Sequence, residues 1–207
     1  MSVSMERPST THQERSDEEL IAEFQAGRPE AFTVLVGRYK DPLTNYVTRF
    51  LADRDAADDV VQDVFVRVYR KKNSYRPVAK FSTWIYTIAA NLSKTELRRR
   101  KRHLMFSLSR GREDADRQPM EIPDLRYASD IQAEQGSRNA LIERALATLS
   151  PKFREILILA DIQDLSYEEI AEITGSNMGT VKSRLNRART KLQKQLRRIF
   201  GTDDHLL

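Results

Sequence analysis

Two stretches of this chain carry cations dense enough to suggest an anionic partner. Residues 64–103 hold twelve Lys and Arg against one acid, and residues 176–200 hold eight against none, within a chain whose net charge is only +5. In the second stretch Lys182, Arg184, Arg187, Arg189, Lys191, Lys194, Arg197 and Arg198 alternate with Val181, Leu185, Ala188, Leu192 and Ile199 at helical spacing. A solvated basic face is the ordinary alternative. Self-repulsion among eight cations with no acid weighs against it. In the first stretch Arg67, Arg70, Lys71, Lys72, Arg76, Lys80, Lys94 and the 98–102 cluster interleave with Tyr69, Tyr75, Phe81, Trp84 and Tyr86. Cations beside aromatics suit unstacked single-stranded bases, each stacked base contributing about 1–3 kcal/mol. Phe81, Trp84 and Ile88 share one helical face and read as core. Tyr75, in a polar loop, and Tyr86, opposite that face, are the better base contacts.

A third group is acidic. Asp55, Asp58, Asp59, Gln62 and Asp63 lie on a helix that already has an apolar stripe, with residues 59 and 63 on one side. They have neither a nucleophile nor a metal partner in the pattern, so no catalytic residue is assigned. With no cysteine, and with His12, His103 and His205 far apart, no metal site is expected. The absence of a Gly-rich phosphate loop argues against nucleotide chemistry, and no cofactor is expected. No stretch approaches the roughly 20 apolar residues of a membrane span, and the first residues have no apolar signal core. The expectation is a cytoplasmic protein without membrane insertion, and not an enzyme.

The elements that must position these groups are helices. Residues 1–16 read as a disordered tail. A short capped helix begins at Asp17 and stops near Gly27, and Pro29 opens the next. Apolar residues then recur from Phe32 to Leu51 through two linked helices broken or kinked at Asp41-Pro42. Another helix carries Ala57 to Tyr69, and a further one runs from Phe81 into the 98–102 cluster. Residues 17–103 thus form one helical domain. Residues 104–137 read as a flexible linker reaching roughly 110–120 Å when extended, enough to pass two DNA turns of about 34 Å.

Residues 138–200 form a second helical domain, and 201–207 a tail. Ser150-Pro151 opens one helix there, and Ser166 with Glu169 forms a capping box on the next. A turn over residues 175–179 joins that helix to the long basic one. Helix, Gly-containing turn and basic helix make a helix-turn-helix, with small Ala171 allowing close approach. Its second helix presents Asn177, Thr180, Lys182, Ser183, Arg184, Asn186 and Arg187, types that hydrogen-bond base edges and phosphates in the major groove. The fold class is therefore all-α, two small domains joined by a linker.

Several stretches carry a resemblance. These are residues 58–65 (DDVVQDVF), 81–91 (FSTWIYTIAAN), 149–151 (LSP), 167–171 (YEEIA) and 179–189 (GTVKSRLNRAR). In this order the chain resembles bacterial RNA polymerase sigma factors of the extracytoplasmic-function subfamily. The resemblance implies that the first domain docks on the clamp of the polymerase largest subunits through Asp58, Asp59, Gln62, Asp63 and Phe65. It implies that Asn73, Ser74, Tyr75 and Arg76 form a loop receiving a base extruded from the minus-ten promoter element, with Lys80 and Tyr86 nearby. Lys94, Arg98, Arg99 and Arg102 would hold phosphates at the junction of duplex and single strand. The second domain would read the minus-thirty-five duplex, with Asn186 where some relatives carry an aromatic or apolar residue. An anti-sigma factor is a further implied partner. The alternative is a stand-alone helix-turn-helix regulator with a helical sensor domain, which would bind duplex DNA without polymerase.

Overall fold

Ser16 starts the fold one residue before Asp17. Its hydroxyl accepts from the Glu19 N–H at 3.2 Å while the Glu19 carboxylate accepts the Ser16 N–H at 2.8 Å, a reciprocal cap on α1 (Asp17–Gln25). Gly27, at φ +95°, lets the chain turn out of this helix. The computed structural model describes residues 15–110 and 138–200.

Helix α2 (Pro29–Leu51) begins with Pro29 in its first turn and runs unbroken through Pro42. The two linked helices expected from Asp41-Pro42 are one. An interior proline costs about 3 kcal/mol. Tyr39, Leu43, Tyr46, Val47, Phe50 and Leu51 are all buried around it, and each large apolar side chain so buried contributes roughly 1.5–3 kcal/mol. Burial therefore overrides the local breaker.

Asp53 accepts from the Ala56 N–H at 3.0 Å and caps α3 (Arg54–Lys71). A single 3-10 turn at 72–74 ends it, and after a short loop α4 (Phe81–Arg110) begins. Helix α4 continues seven residues beyond the boundary expected at 103. The rest of the expected linker, and both expected tails apart from residues 15 and 16, lie outside the described residues.

The second domain contains α5 (Arg138–Ala147), α6 (Pro151–Asp161), α7 (Tyr167–Thr174) and α8 (Met178–Phe200). Ser150 has the extended backbone of a cap, although its hydroxyl makes no capping bond, and Pro151 takes the first helical position. The Ser166–Glu169 capping box opens α7 as expected, and Gly175, at φ +62°, closes it. Asn177 then accepts from the Thr180 N–H at 2.8 Å, so α8 starts inside the segment expected as turn.

All described elements are helical. Their buried side chains form one apolar cluster reaching from Leu20 in α1 to Ala188 in α8. Within the first domain α2 packs on α3 and α3 on α4; in the second, α6 and α7 pack on α8. Between domains α2 meets α5 and α6, and α4 meets α7.

Candidate polymerase and nucleic-acid interfaces

The acidic helix is α3. Val60, Val61, Val64 and Val68 face the core, which leaves Asp58, Asp59, Gln62 and Asp63 exposed on the opposite side. Phe65 is half-buried, its ring edge-on to Phe32 at 6.3 Å. Beyond Phe65, sequence reasoning did not assign the exposed apolar residues on this side. Val66 is 47% exposed and Tyr69 54% exposed, four and seven residues after Gln62 and so on its side of the helix. Tyr69 rests against Phe24 and Phe32 at 5.2 and 5.5 Å. That spacing was the available signal, but Tyr69 reads more readily as part of the basic-aromatic block.

The loop between α3 and α4 presents three of its four expected residues. Asn73, Ser74 and Arg76 are exposed. Ser74 Oγ donates to Lys71 O at 2.7 Å, and Arg76 Nη1 donates to the carbonyls of Asn73 and Tyr75 at 2.7 and 3.1 Å. Tyr75 corrects the expectation of a base-stacking side chain. It is 4% exposed, its ring lies 5.8 Å from Phe81 and 5.4 Å from Trp84, and its hydroxyl donates to Ala79 O at 2.9 Å. The ring is an anchor for the loop.

Tyr86 also departs from its expected position. It is 4% exposed because α4 is covered on two sides. Its ring stands 5.7 Å from Tyr46 in the first domain, and its hydroxyl donates to Gln163 Oε1 of the second at 2.5 Å. Lys80 and Lys94 are engaged by the same domain, with Glu169 at 3.0 Å and Glu155 at 2.8 Å. Farther along α4, Arg98, Arg99 and Arg102 are exposed. Glu96 holds Arg99 through two bonds of 2.7 and 2.9 Å and Arg100 through one of 2.7 Å, while Arg100 also reaches Asp53 at 2.9 Å. The Arg99 bonds, against opposition from burial and with help from Arg100, lower the Glu96 pKa to about 2.

On α8 the buried stripe of Val181, Leu185 and Ala188 fixes what faces outward. Lys182 with Asn186, and Ser183 with Arg187, form adjacent exposed i,i+4 pairs, giving one polar face at the start of the helix. Thr180 and Arg184 are half-buried, and Arg184 Nη1 donates to Ser176 Oγ at 3.1 Å. Asn177 has its carboxamide oxygen on the Thr180 amide, so it acts first as a cap. Arg189 is paired with Asp161 of α6 at 2.5 Å. The four exposed residues carry donors and acceptors of the kind that hydrogen-bond base edges. Among the described residues no group of His, Asp and Glu is arranged to hold a metal, and no helix is long and apolar enough to cross a membrane.

Comparison with known proteins matches two segments of the chain. Residues 35–103 match the family described as Sigma-70 region 2, and residues 139–192 match Sigma-70, region 4. The chain is 36% identical to the ECF RNA polymerase sigma factor SigE of Mycolicibacterium smegmatis, over 83% of its own length and 63% of that protein's. It is 33% identical to the ECF RNA polymerase sigma factor SigW of Bacillus subtilis, over 86% of its length and 95% of the relative's. A solved structure of the sigma factor RpoE from Bartonella quintana, in complex with the anti-sigma factor NepR, superposes with a TM-score of 0.64. That match has 27% identity and covers 80% of this chain and 96% of the other.

Proposed function

The chain belongs to the extracytoplasmic-function branch of bacterial RNA polymerase sigma factors, and on that footing we propose how its surfaces divide the work of promoter recognition and opening. The exposed side of α3, with Asp58, Asp59, Gln62, Asp63 and Phe65 joined by Val66 and Tyr69, docks on the polymerase clamp. Charge at its rim orients the docking, and the apolar strip supplies buried area. The loop bearing Asn73, Ser74 and Arg76 receives a base extruded from the minus-ten element. Lys80, Lys94, Arg98, Arg99 and Arg102 follow the phosphates leading into it. Lys182, Ser183, Asn186 and Arg187 enter the major groove of the minus-thirty-five element, with Thr180 and Arg184 supporting them from the groove of the turn.

Opening DNA without ATP is a binding problem. Each unstacked step costs a few kcal/mol, and capture of the exposed base together with phosphate contacts offsets it. The protein acts as an initiation factor and the catalytic chemistry is that of the polymerase. An anti-sigma factor is the proposed inhibitor, supported by the Bartonella relative being seen in complex with one.

The observation that carries this reading is the exposed, cation-rich start of α8 on a helix-turn-helix domain, in the same chain as an acidic face at Asp58–Asp63. Adding the chain to core polymerase should restore transcription from a subset of a bacterial promoter library, and the chain alone should bind duplex DNA weakly. No transcription across the library would sink the proposal. A footprint on duplex DNA without polymerase would favour a stand-alone regulator, a reading that the match of residues 35–103 to region 2 does not favour.

A further inference from the structure

Helix α1 precedes the region-2 match, yet it holds both ends of the loop between α3 and α4. At its C-terminal end Gln25 Nε2 donates to Lys72 O at 2.7 Å and to Tyr75 O at 3.3 Å. The bond is reciprocated. Lys72 Nζ donates to Phe24 O at 2.8 Å and stands 4.2 Å over the Phe24 ring, which places a cation at the negative end of α1. At the other end of the loop Glu18 Oε1 accepts the Phe81 N–H at 2.9 Å, engaging one of the amides that α4 leaves open in its first turn. Glu18 and Gln25 are seven residues apart, two turns on one face of α1, a span of about 10 Å. The middle of the loop is pinned separately by Tyr75 and its bond to Ala79 O.

From this arrangement we propose that α1 is a brace for base capture, and that Glu18, Gln25 and Lys72 are positioning residues that hold the 72–80 loop in its receiving shape before DNA arrives. The inference rests on the reading of that loop as the acceptor of an extruded base. Its physical basis is preorganisation. The carbonyls of Lys71, Lys72, Asn73, Tyr75 and Ala79 all have donors from within the protein. The exposed Asn73 carboxamide, which makes no side-chain bond among the described residues, is therefore presented on a fixed backbone. A loop already fixed loses less conformational freedom when the base enters. A loop released from α1 would have to order at that moment, and it would discriminate bases less well.

The test uses the full chain with Gln25→Leu and Glu18→Leu, each removing hydrogen bonds with little change of size, and with Glu18→Gln, which keeps an acceptor for the Phe81 amide. Amide hydrogen exchange over residues 72–81 is measured in the free protein. Open-complex formation with core polymerase is measured on four promoters differing only at the extruded base. Both Leu variants should exchange faster in the loop and should open the preferred promoter roughly fivefold less per lost hydrogen bond, with a narrower spread among the four bases, whereas Glu18→Gln should behave as the parent. Unchanged loop exchange would overturn the brace. So would an equal loss of opening on all four promoters, the signature of general destabilisation. A parent chain that opened no promoter would refute the functional reading instead, and the exchange measurement would still decide whether α1 fixes the loop.

Discussion

Lys94 Nζ lies 2.8 Å from Glu155 Oε1, and this ion pair joins α4 of the first domain to α6 of the second. The partners are unequal, since the Glu155 side chain is 7% exposed and that of Lys94 is 34% exposed. Burial pushes the Glu155 carboxyl above its ordinary range, against the pull of Lys94. Lys80 with Glu169, Tyr86 with Gln163 and Arg49 with Glu143 cross the same interface. Three residues expected to meet promoter DNA are therefore engaged by the second domain, and the proposed phosphate contacts of Lys80 and Lys94 would have to displace those pairs.

Removing the two charges of the Lys94–Glu155 pair should have unequal effects. Lys94→Met strands a carboxylate in a low dielectric and should loosen the interface by about 2–3 kcal/mol. Glu155→Gln removes the desolvation cost and leaves an ammonium able to reach water, so it should change the interface by less than about 1 kcal/mol. The chain has no cysteine, so spin labels on single cysteines placed at exposed Val78 and Arg144 report the distance between domains. Equal broadening in the two variants would mean that carboxylate burial is not the controlling cost.

The same carboxylate gives the interface a pH dependence. A carboxyl whose pKa is raised in the folded state contributes stability that is fully present below its unfolded value and is lost as pH rises through the folded one. Glu143, also raised by burial against the pull of Arg49, acts in the same direction. Glu169 acts in the opposite direction, because the Ser166 amide and hydroxyl and Lys80 together outweigh its burial and lower its pKa. The labelled distances should narrow as pH falls from 7 toward the ordinary carboxylate range, and Glu155→Gln should remove most of that change.

Glu96 restrains two arginines on the basic helix. Its lowered pKa means that its contribution to stability is present above the ordinary value of 4.5 and is lost as pH falls toward about 2. Glu96→Gln should lower Tm at neutral pH, with the deficit shrinking as the solution is acidified. It should also release Arg99 toward phosphate, tightening binding to single-stranded DNA and steepening the logarithmic salt dependence by about 0.7. An unaltered slope would show that Arg99 does not reach the backbone.

Arg154 is 2% exposed and ties the domains through backbone carbonyls. Its guanidinium donates to Phe50 O at the end of α2 at 2.8 Å, to Leu149 O at 3.1 Å and to Ala147 O. Arg154→Met leaves these carbonyls short of a donor and should cost about 3 kcal/mol, seen as a lower midpoint in denaturant. Arg154→Lys should rescue little, because a single ammonium does not reproduce the planar fork.

Local signals were legible in the sequence and non-local ones were not. The Ser166–Glu169 box, Pro29 and Gly175 each act within one turn of chain, and the structure has them where spacing puts them. Ser16 and Glu19 carry the same spacing as Ser166 and Glu169 and could have been read the same way. Pro42 misled because its local cost is offset by burial along the whole of α2. Tyr86 misled because what covers it is distant in sequence, Gln163 lying 77 residues away, and Tyr75 because the loop folds its ring back onto Phe81 and Trp84, six and nine residues on, a turn that spacing does not reveal. The exposed face of α8 was legible as charge, but not which members were already engaged. Asn177 and Arg189 have partners that only the folded chain supplies.

On the proposed reading, that distinction predicts which residues of α8 read the minus-thirty-five element and which merely lie near it. Arg187 is exposed beside Ser183 on the polar face of α8, and Arg187→Ala should cost about 1–3 kcal/mol on the preferred sequence while relaxing preference at one base position. Asn177→Ala removes the cap on the Thr180 amide and should lower stability by about 1 kcal/mol, with base preference intact if the side chain serves only as that cap. Arg189→Ala breaks the Asp161 pair, which is largely solvated, so its effect on stability should stay below about 1 kcal/mol and any loss of binding should be even across sequences. Selection from promoters randomised through the minus-thirty-five element, carried out with holoenzyme containing each variant, separates the three outcomes. A changed preference in Asn177→Ala would mean that its carboxamide NH2, which the cap leaves free, reads a base after all.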